Sequence, residues 1–180
     1  MQNILKLHFV NFDVKWIMTM LNLAWSFYNF NKDIYWKGCF KMKNERFKQR
    51  FNNFEKAYKL LKQACEKNPD ELSDLEQEGV IQRFEYTYEL VWKMLKDYLE
   101  YSGNVNLVEF TPRNVFKEAF ASKIINDGQV FIDMMLSRNF LSRCYEREKA
   151  LDILDDMQCK YLPALDNLYE SFSIKIKEMD

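Results

Sequence analysis

The sequence predicts an all-α fold, an antiparallel bundle of four to five helices. Three observations carry this. Only four glycines and three prolines occur in 180 residues, so turn chemistry is scarce. Apolar residues recur at three- and four-residue steps, the period of one helix face. Helix-start and helix-stop residues separate these runs at short intervals, which favours antiparallel neighbours.

Phe47, Phe51, Phe54, Tyr58 and Leu61 line one face of a first helix expected over 43–67. It should stop before Asn68-Pro69, because proline disfavours helical geometry in the residue preceding it. Ser73-Asp74-Leu75-Glu76 has the pattern of a capping box, in which the serine accepts from the backbone three residues on and the glutamate reaches back. The second helix starts there. Leu75, Val80, Ile81, Phe84, Tyr88, Val91, Trp92, Leu95 and Leu99 cover more than a narrow stripe, which suits a helix at the bundle centre, with Gly103 as its C-terminal cap.

Thr111-Pro112 supplies an N-cap and a proline in the first helical turn, and Val115, Phe116, Ala119 and Phe120 form the apolar side of a short third helix. Asn126-Asp127-Gly128 reads as a turn. A fourth helix is expected over 129–144, with Phe131, Met134, Met135 and Leu141 inward. The last helix, from about Glu148, carries Leu151, Leu154, Met157, Tyr161, Leu165, Leu168 and Phe172 inward. Pro163 should kink it, since an interior proline removes a hydrogen bond and meets the preceding turn.

The texture changes near Met42. Residues 1–41 hold Trp16, Trp25, Trp36 and the single histidine, His8, without a steady apolar period. Lys6, Lys15, Lys32, Lys37 and Lys41 stand there against Asp13 and Asp33, a net of +3 that leaves −4 for the rest. Residues 1–41 therefore read as an N-terminal extension outside the native domain, a gene-start artefact being one origin, and 42–180 as the helical bundle. The rival reading of the extension is a weakly amphipathic helix that touches a membrane or a partner. Its uncharged run from Trp16 to Asn31 is shorter than the roughly 20 apolar residues of a membrane span and is interrupted by Asn22 and Asn29. No small-residue cleavage pattern marks a signal peptide.

The overall charge of −1 offers no footprint for duplex DNA. Cys39, Cys65, Cys144 and Cys159 lack the spacing of a metal knuckle, and reduced thiols in a cytoplasmic protein are the expectation. With His8 as the only histidine, neither a zinc site nor a Ser/His/Asp triad is expected, and no metal or other cofactor is called for.

Two groups of residues could carry chemistry. Glu85, Glu89 and Lys93 are spaced by four on one face of the second helix, with Arg83 nearby. They form either a solvated ion-paired face, each pair worth about 0.2–0.5 kcal/mol, or a polar groove for a nucleotide or partner. Arg138 and Arg143 are five apart, about 500° of helical turn, so they diverge by some 140° within one chain. They are either surface arginines paired with Asp133 or Glu146, or cations from two copies of the chain that converge on a phosphate in a dimer.

The run from Gly79 to Leu99, then Thr111-Pro112-Arg113 with Glu118-Ala119-Phe120, then Asp133 before Arg138-Asn139 and Tyr145, resembles the nucleotidyltransferase substrate-binding proteins of the HEPN superfamily, which includes the HepT toxins. The resemblance covers about Met42 to Ser173. It implies a homodimeric helical bundle partnered with a minimal, MntA-like nucleotidyltransferase in a type VII-like toxin–antitoxin module. It also implies a motif Arg-x4-His-x-Tyr that supports metal-independent RNA cleavage at the dimer interface and is silenced by addition of AMP to its tyrosine. On this chain Arg138 takes the arginine, Asn139 its neighbour and Tyr145 the modified tyrosine. Arg143 stands where the histidine belongs. Histidine exchanges a proton near pH 6.5, whereas a guanidinium stays charged, so Arg143 can hold a phosphate but is a poor base for a ribose hydroxyl. Three readings follow: a partner subunit that binds a nucleotidyltransferase, and a nucleotide or RNA, without efficient catalysis; an active ribonuclease toxin; and a non-catalytic helical interaction protein.

Overall fold

A computed structural model describes residues 25–26, 42, 44–103, 109–142 and 147–179. The chain divides into two units, Met1–Lys41 and Met42–Asp180, and all that follows concerns the second. Its described residues form helices joined by short turns, with no strand. Helix α1 spans 44–64, α2 Asp74–Ser102, α3 Pro112–Ala121, α4 Gly128–Leu141, α5 Arg147–Asp156 and α6 Leu162–Glu178. A π-helical turn, Met157–Tyr161, joins α5 to α6, so the last two are one continuous rod and the described residues form five helical rods.

The helix boundaries follow local chemistry. The Ser73 hydroxyl accepts from the Glu76 N–H while the Glu76 carboxylate accepts from the Ser73 N–H, which closes the capping box. Gly103 ends α2 in the left-handed region at φ 75°, where a side chain would be strained. Thr111 caps α3 through the Asn114 N–H, and Asp127 caps α4 through the N–H groups of Gln129 and Val130. The expected Asn126-Asp127-Gly128 turn is therefore a cap, with Gly128 as the first residue of α4.

Helix α1 ends at residue 64 and not at 67. The Gln158 side-chain amide donates to the carbonyls of Cys65 (2.8 Å) and Lys67 (2.7 Å), giving the departing chain partners that further helix would have supplied. Around Pro163, where a kink was expected, the regular α-helix is interrupted by the π turn and then resumes. The wider π turn immediately before it moves a carbonyl out of the way of the proline ring and absorbs the missing N–H, so α6 continues with Pro163 in its first turn.

Aromatic contacts record how the rods pack. Phe47 of α1 lies 5.1 Å from Tyr98 of α2 and 5.7 Å from Phe172 of α6, between ring centroids. Tyr98 meets Phe172 edge-on at 4.9 Å. Phe84 of α2 stacks on Tyr161 at 5.6 Å, and Phe116 of α3 bridges Tyr88 (6.0 Å) and Phe131 of α4 (5.5 Å). Such rings dominate the buried apolar area, each pair adding about 0.5–1.5 kcal/mol beyond area alone.

Polar tethers set the direction of α1. Near one end Asp97 accepts from Arg46 (3.0 Å) and Arg50 (2.9 Å); near the other, Arg83 donates to the Leu60 carbonyl at 2.8 Å. This order makes α1 antiparallel to α2. Tyr58 and Lys62 both bond Asp166, and Tyr169 donates to Glu55 at 2.8 Å, so α1 is also antiparallel to α6.

Two residues expected inside lie at the surface. Leu75 is 78% exposed, on the side of the first turn of α2 away from the α1 end that Glu76 meets through Lys67, and Phe120 is 52% exposed. Phe120 instead covers Gly128, whose missing side chain lets the ring approach; a Cβ there would stand 3.0 Å from Phe120 carbons. Ile81, Trp92, Met135, Leu141 and Leu151 pack against the core while remaining partly accessible. No helix among the described residues is long and apolar enough to cross a membrane.

Candidate functional site

The two groups of residues singled out in the sequence meet at one carboxylate. Glu89 sits on the face of α2 that turns toward α4. Its Oε2 accepts from the Trp92 indole N–H at 3.0 Å and lies 3.1 Å from the Lys93 ammonium, partners one helical turn along α2. Its Oε1 lies 3.5 Å from a terminal nitrogen of Arg138, in the last turn of α4. The Lys93 ammonium also lies 5.6 Å from the centre of the Trp92 ring, within cation–π range.

These contacts set the charge state of Glu89. Burial works against ionisation of the carboxyl, but the hydrogen bonds from Trp92 and Lys93 and the charges of Lys93 and Arg138 outweigh it, so Glu89 titrates below the ordinary carboxylate range. The site thus holds a carboxylate with three donors at near neutral pH. Burial pushes the neighbouring Tyr88 phenol well above its usual range, the Glu89 charge adds to this and Arg138 opposes it. Tyr88 remains protonated under ordinary conditions.

Arg138 is one-third exposed, with one terminal nitrogen 3.4 Å from the Asn139 side-chain oxygen. Its Nε–H is buried without a partner among the described residues. Its position is held from both sides along the chain: the Ser137 hydroxyl bonds the Tyr161 hydroxyl at 2.8 Å, and the Ser142 hydroxyl donates to the Asn139 carbonyl at 3.0 Å. Asn139 is exposed. Arg138 therefore pairs with Glu89 across the bundle, not with Asp133 on its own helix, because α4 lies against α2 with these two positions opposed.

The remaining candidates separate. Arg83 leaves this face altogether: its guanidinium donates to the Leu60 carbonyl and acts as a cap for α1. The 120° offset between positions 83 and 89 on a helix of about 3.6 residues per turn accounts for this. Glu85 is half-buried and has no side-chain hydrogen bond or ion pair among the described residues. Arg143 and Tyr145 lie outside the described residues. Trp92 and Tyr161 were read from the sequence only as core residues and Ser137 was given no role; of the three, only Trp92, three residues after Glu89, had a local signal.

Chemically, Glu89 leaves the Arg138 side chain charged and oriented while part of its donor fork stays accessible. Such a group recognises an oxyanion and does not exchange protons.

Residues 49–174 match the family described as nucleotidyltransferase substrate binding protein like. The chain is also similar to a protein of Thermus thermophilus, ttk003001694, with 26% identity, a TM-score of 0.56, and coverage of 68% of this chain and 98% of that one. It is similar to HI0074 of Haemophilus influenzae, described as having the fold of a substrate binding domain of a nucleotidyltransferase, with 25% identity, a TM-score of 0.57, and coverage of 67% and 96%. No curated protein matches the chain. With the family match extending over most of its length and the same helical fold in both relatives, the chain belongs to the nucleotidyltransferase substrate-binding protein family.

Proposed function

We propose that the Met42–Asp180 bundle is the substrate-binding partner of a minimal, MntA-like nucleotidyltransferase in a toxin–antitoxin module of the HepT type, and that its ribonuclease motif is degenerate. The family match and the description of HI0074 support a nucleotidyltransferase partner. The observation that carries the rest is the anchored Arg138: a cation oriented by Glu89 five positions before Arg143, in a bundle whose sequence contains no imidazole. Arginine in the proton-transfer position retains affinity for phosphate and lacks a usable base. In a homodimer the Arg138 side chains of two copies would face one RNA or nucleotide phosphate, with Asn139 and Lys93 as further donors. Tyr145 is the acceptor for AMP.

Incubating the purified protein with tRNA in the presence of chelator tests the motif. The parent should leave the RNA intact, Arg143→His should cleave it, and Arg138→Ala in that background should abolish the cleavage. Cleavage by the parent that disappears with Arg138→Ala would instead establish a working ribonuclease and defeat the proposal. With the partner nucleotidyltransferase and ATP, mass spectrometry should detect AMP on the parent and none on Tyr145→Phe.

A further inference from the structure

A cavity of about 250 Å³ lies between the α3–α4 turn and α6, and shares no lining residue with the Arg138–Glu89 pair. One of its sides is made by the way α3 ends. The N–H groups of Ile124 and Ile125 both bond the Ala119 carbonyl, at 2.8 and 3.3 Å, and the Lys123 N–H bonds the Phe120 carbonyl at 2.9 Å. This turn holds Lys123 in the left-handed region at φ 55°, the one non-glycine residue with positive φ among those described. Glycine fills such a place after a helix without strain, as Gly103 does after α2, and asparagine tolerates it. Lysine gains nothing from that backbone geometry, so the reason for it lies in its side chain, which is exposed and lines the cavity.

The charges of the lining define what it can take. Lys160 is already paired with Asp156 at 2.6 Å. The Asp127 carboxylate accepts from the N–H groups of Gln129 and Val130 at the start of α4. Lys123 has no ion pair among the described residues, so the cavity offers one uncommitted positive charge beside one fixed negative charge. A monoanion satisfies the first. A dianion would bring a further negative charge into a lining that already holds Asp127, with no second free cation to offset it. Ile125, Phe131 and Leu168 are buried core residues that form an apolar floor, and the exposed amides of Asn126 and Asn167 supply further donors at the rim.

We propose that this cavity binds a small monocarboxylate with a compact apolar body, an aryl or branched-chain acid. The Lys123 ammonium takes the carboxylate, a rim amide donates to its second oxygen, and the body lies on the floor of Ile125, Phe131 and Leu168. The volume falls just below the roughly 300 Å³ at which pockets for larger ligands begin, which limits the body to about one ring. Nothing in this lining depends on Arg138, on a nucleotidyltransferase or on a second copy of the chain.

Phenylacetate is the probe, with 2-phenylethanol as its neutral analogue and inorganic phosphate as a bare anion, each titrated into the full chain and followed by amide NMR. Phenylacetate should shift the resonances of 123–131 and 164–171 saturably with a Kd of about 0.1–1 mM, the range open to about ten non-hydrogen atoms. The alcohol and phosphate should each bind about tenfold or more weakly. Lys123→Gly should weaken phenylacetate by about tenfold or more while raising the melting temperature by roughly 2–4 °C, because it removes the ammonium and relieves the backbone together. Lys123→Arg, which keeps the charge, should bind as the parent does. A lysine that served only the fold would not separate affinity from stability in this way. No saturable shift up to about 10 mM phenylacetate would overturn the assignment. So would undiminished binding to Lys123→Gly, or phosphate binding as tight as that of phenylacetate.

Discussion

Arg138 near the end of α4 stands 3.5 Å from Glu89 in the middle of α2, and this contact joins two sets of polar residues that are separated by some fifty positions in the sequence. Glu89 uses one oxygen for its own helix and offers the other across the bundle, so the arginine is oriented by a carboxylate that is itself held by Trp92 and Lys93.

Because the Glu89 carboxyl titrates low in the folded protein, its contribution to stability is fully present above the unfolded value of about 4.3 and is lost as pH falls through the lower folded value. The Trp92 indole N–H resonance should therefore shift only below about pH 4.3. A shift centred at pH 5 or higher would contradict this assignment. Glu89→Gln should cost about 0.5–1 kcal/mol in urea unfolding, a small figure because solvent reaches both partners of the Arg138 pair.

Asp97 presents a sterner case, since only 4% of its side chain is exposed and it receives both Arg46 and Arg50. Asp97→Ala leaves Arg50 without this carboxylate and Arg46 with Glu100 alone, and both guanidiniums can turn toward water. A loss of about 2–3 kcal/mol is expected, below the range for pairs buried on both sides. The check is the urea midpoint at unchanged m-value.

The capping box gives a local counterpart. Ser73→Ala should destabilise the fold by about 1 kcal/mol. Lys67 and the Ser73 backbone and hydroxyl hold the Glu76 carboxyl down at about 2. Its stabilising effect is thus complete above the unfolded value of about 4.3 and declines as pH falls toward 2. A thermal-melt series from pH 7 to 2 on the parent and on Glu76→Gln should converge at the acid end.

Burial pushes the Cys65 thiol up to about 11, whereas Cys159 is exposed on the π turn. Peptide-resolved alkylation at pH 7.5 should label Cys159 in the native protein and reach Cys65 only after unfolding, since the thiolate is the reactive form. Rapid labelling of Cys65 in the native state would show that α1 opens at its C-terminal end.

The caps at Ser73, Thr111 and Gly103, and the apolar faces of α1 and α2, could be read from the sequence because each interaction spans at most four residues, whereas Asp127 was read only as part of a turn. Glu89 with Lys93 was legible for the same reason. Its pairing with Arg138 was not, because periodicity states which face a residue occupies and not which helix comes to lie opposite. Arg83 shows the limit from the other side: it is near Glu85 in sequence, yet its guanidinium serves the end of α1.

What the sequence determined by itself is thus the helical class and the places where most of the helices start. These depend on local backbone chemistry and residue identity. Only the tertiary structure decided that Leu75 and Phe120 stay outside, that a π turn accommodates Pro163, and that Arg138 answers to Glu89. Those outcomes depend on which surfaces compete for the same space when the rods pack, a question no single helix settles alone.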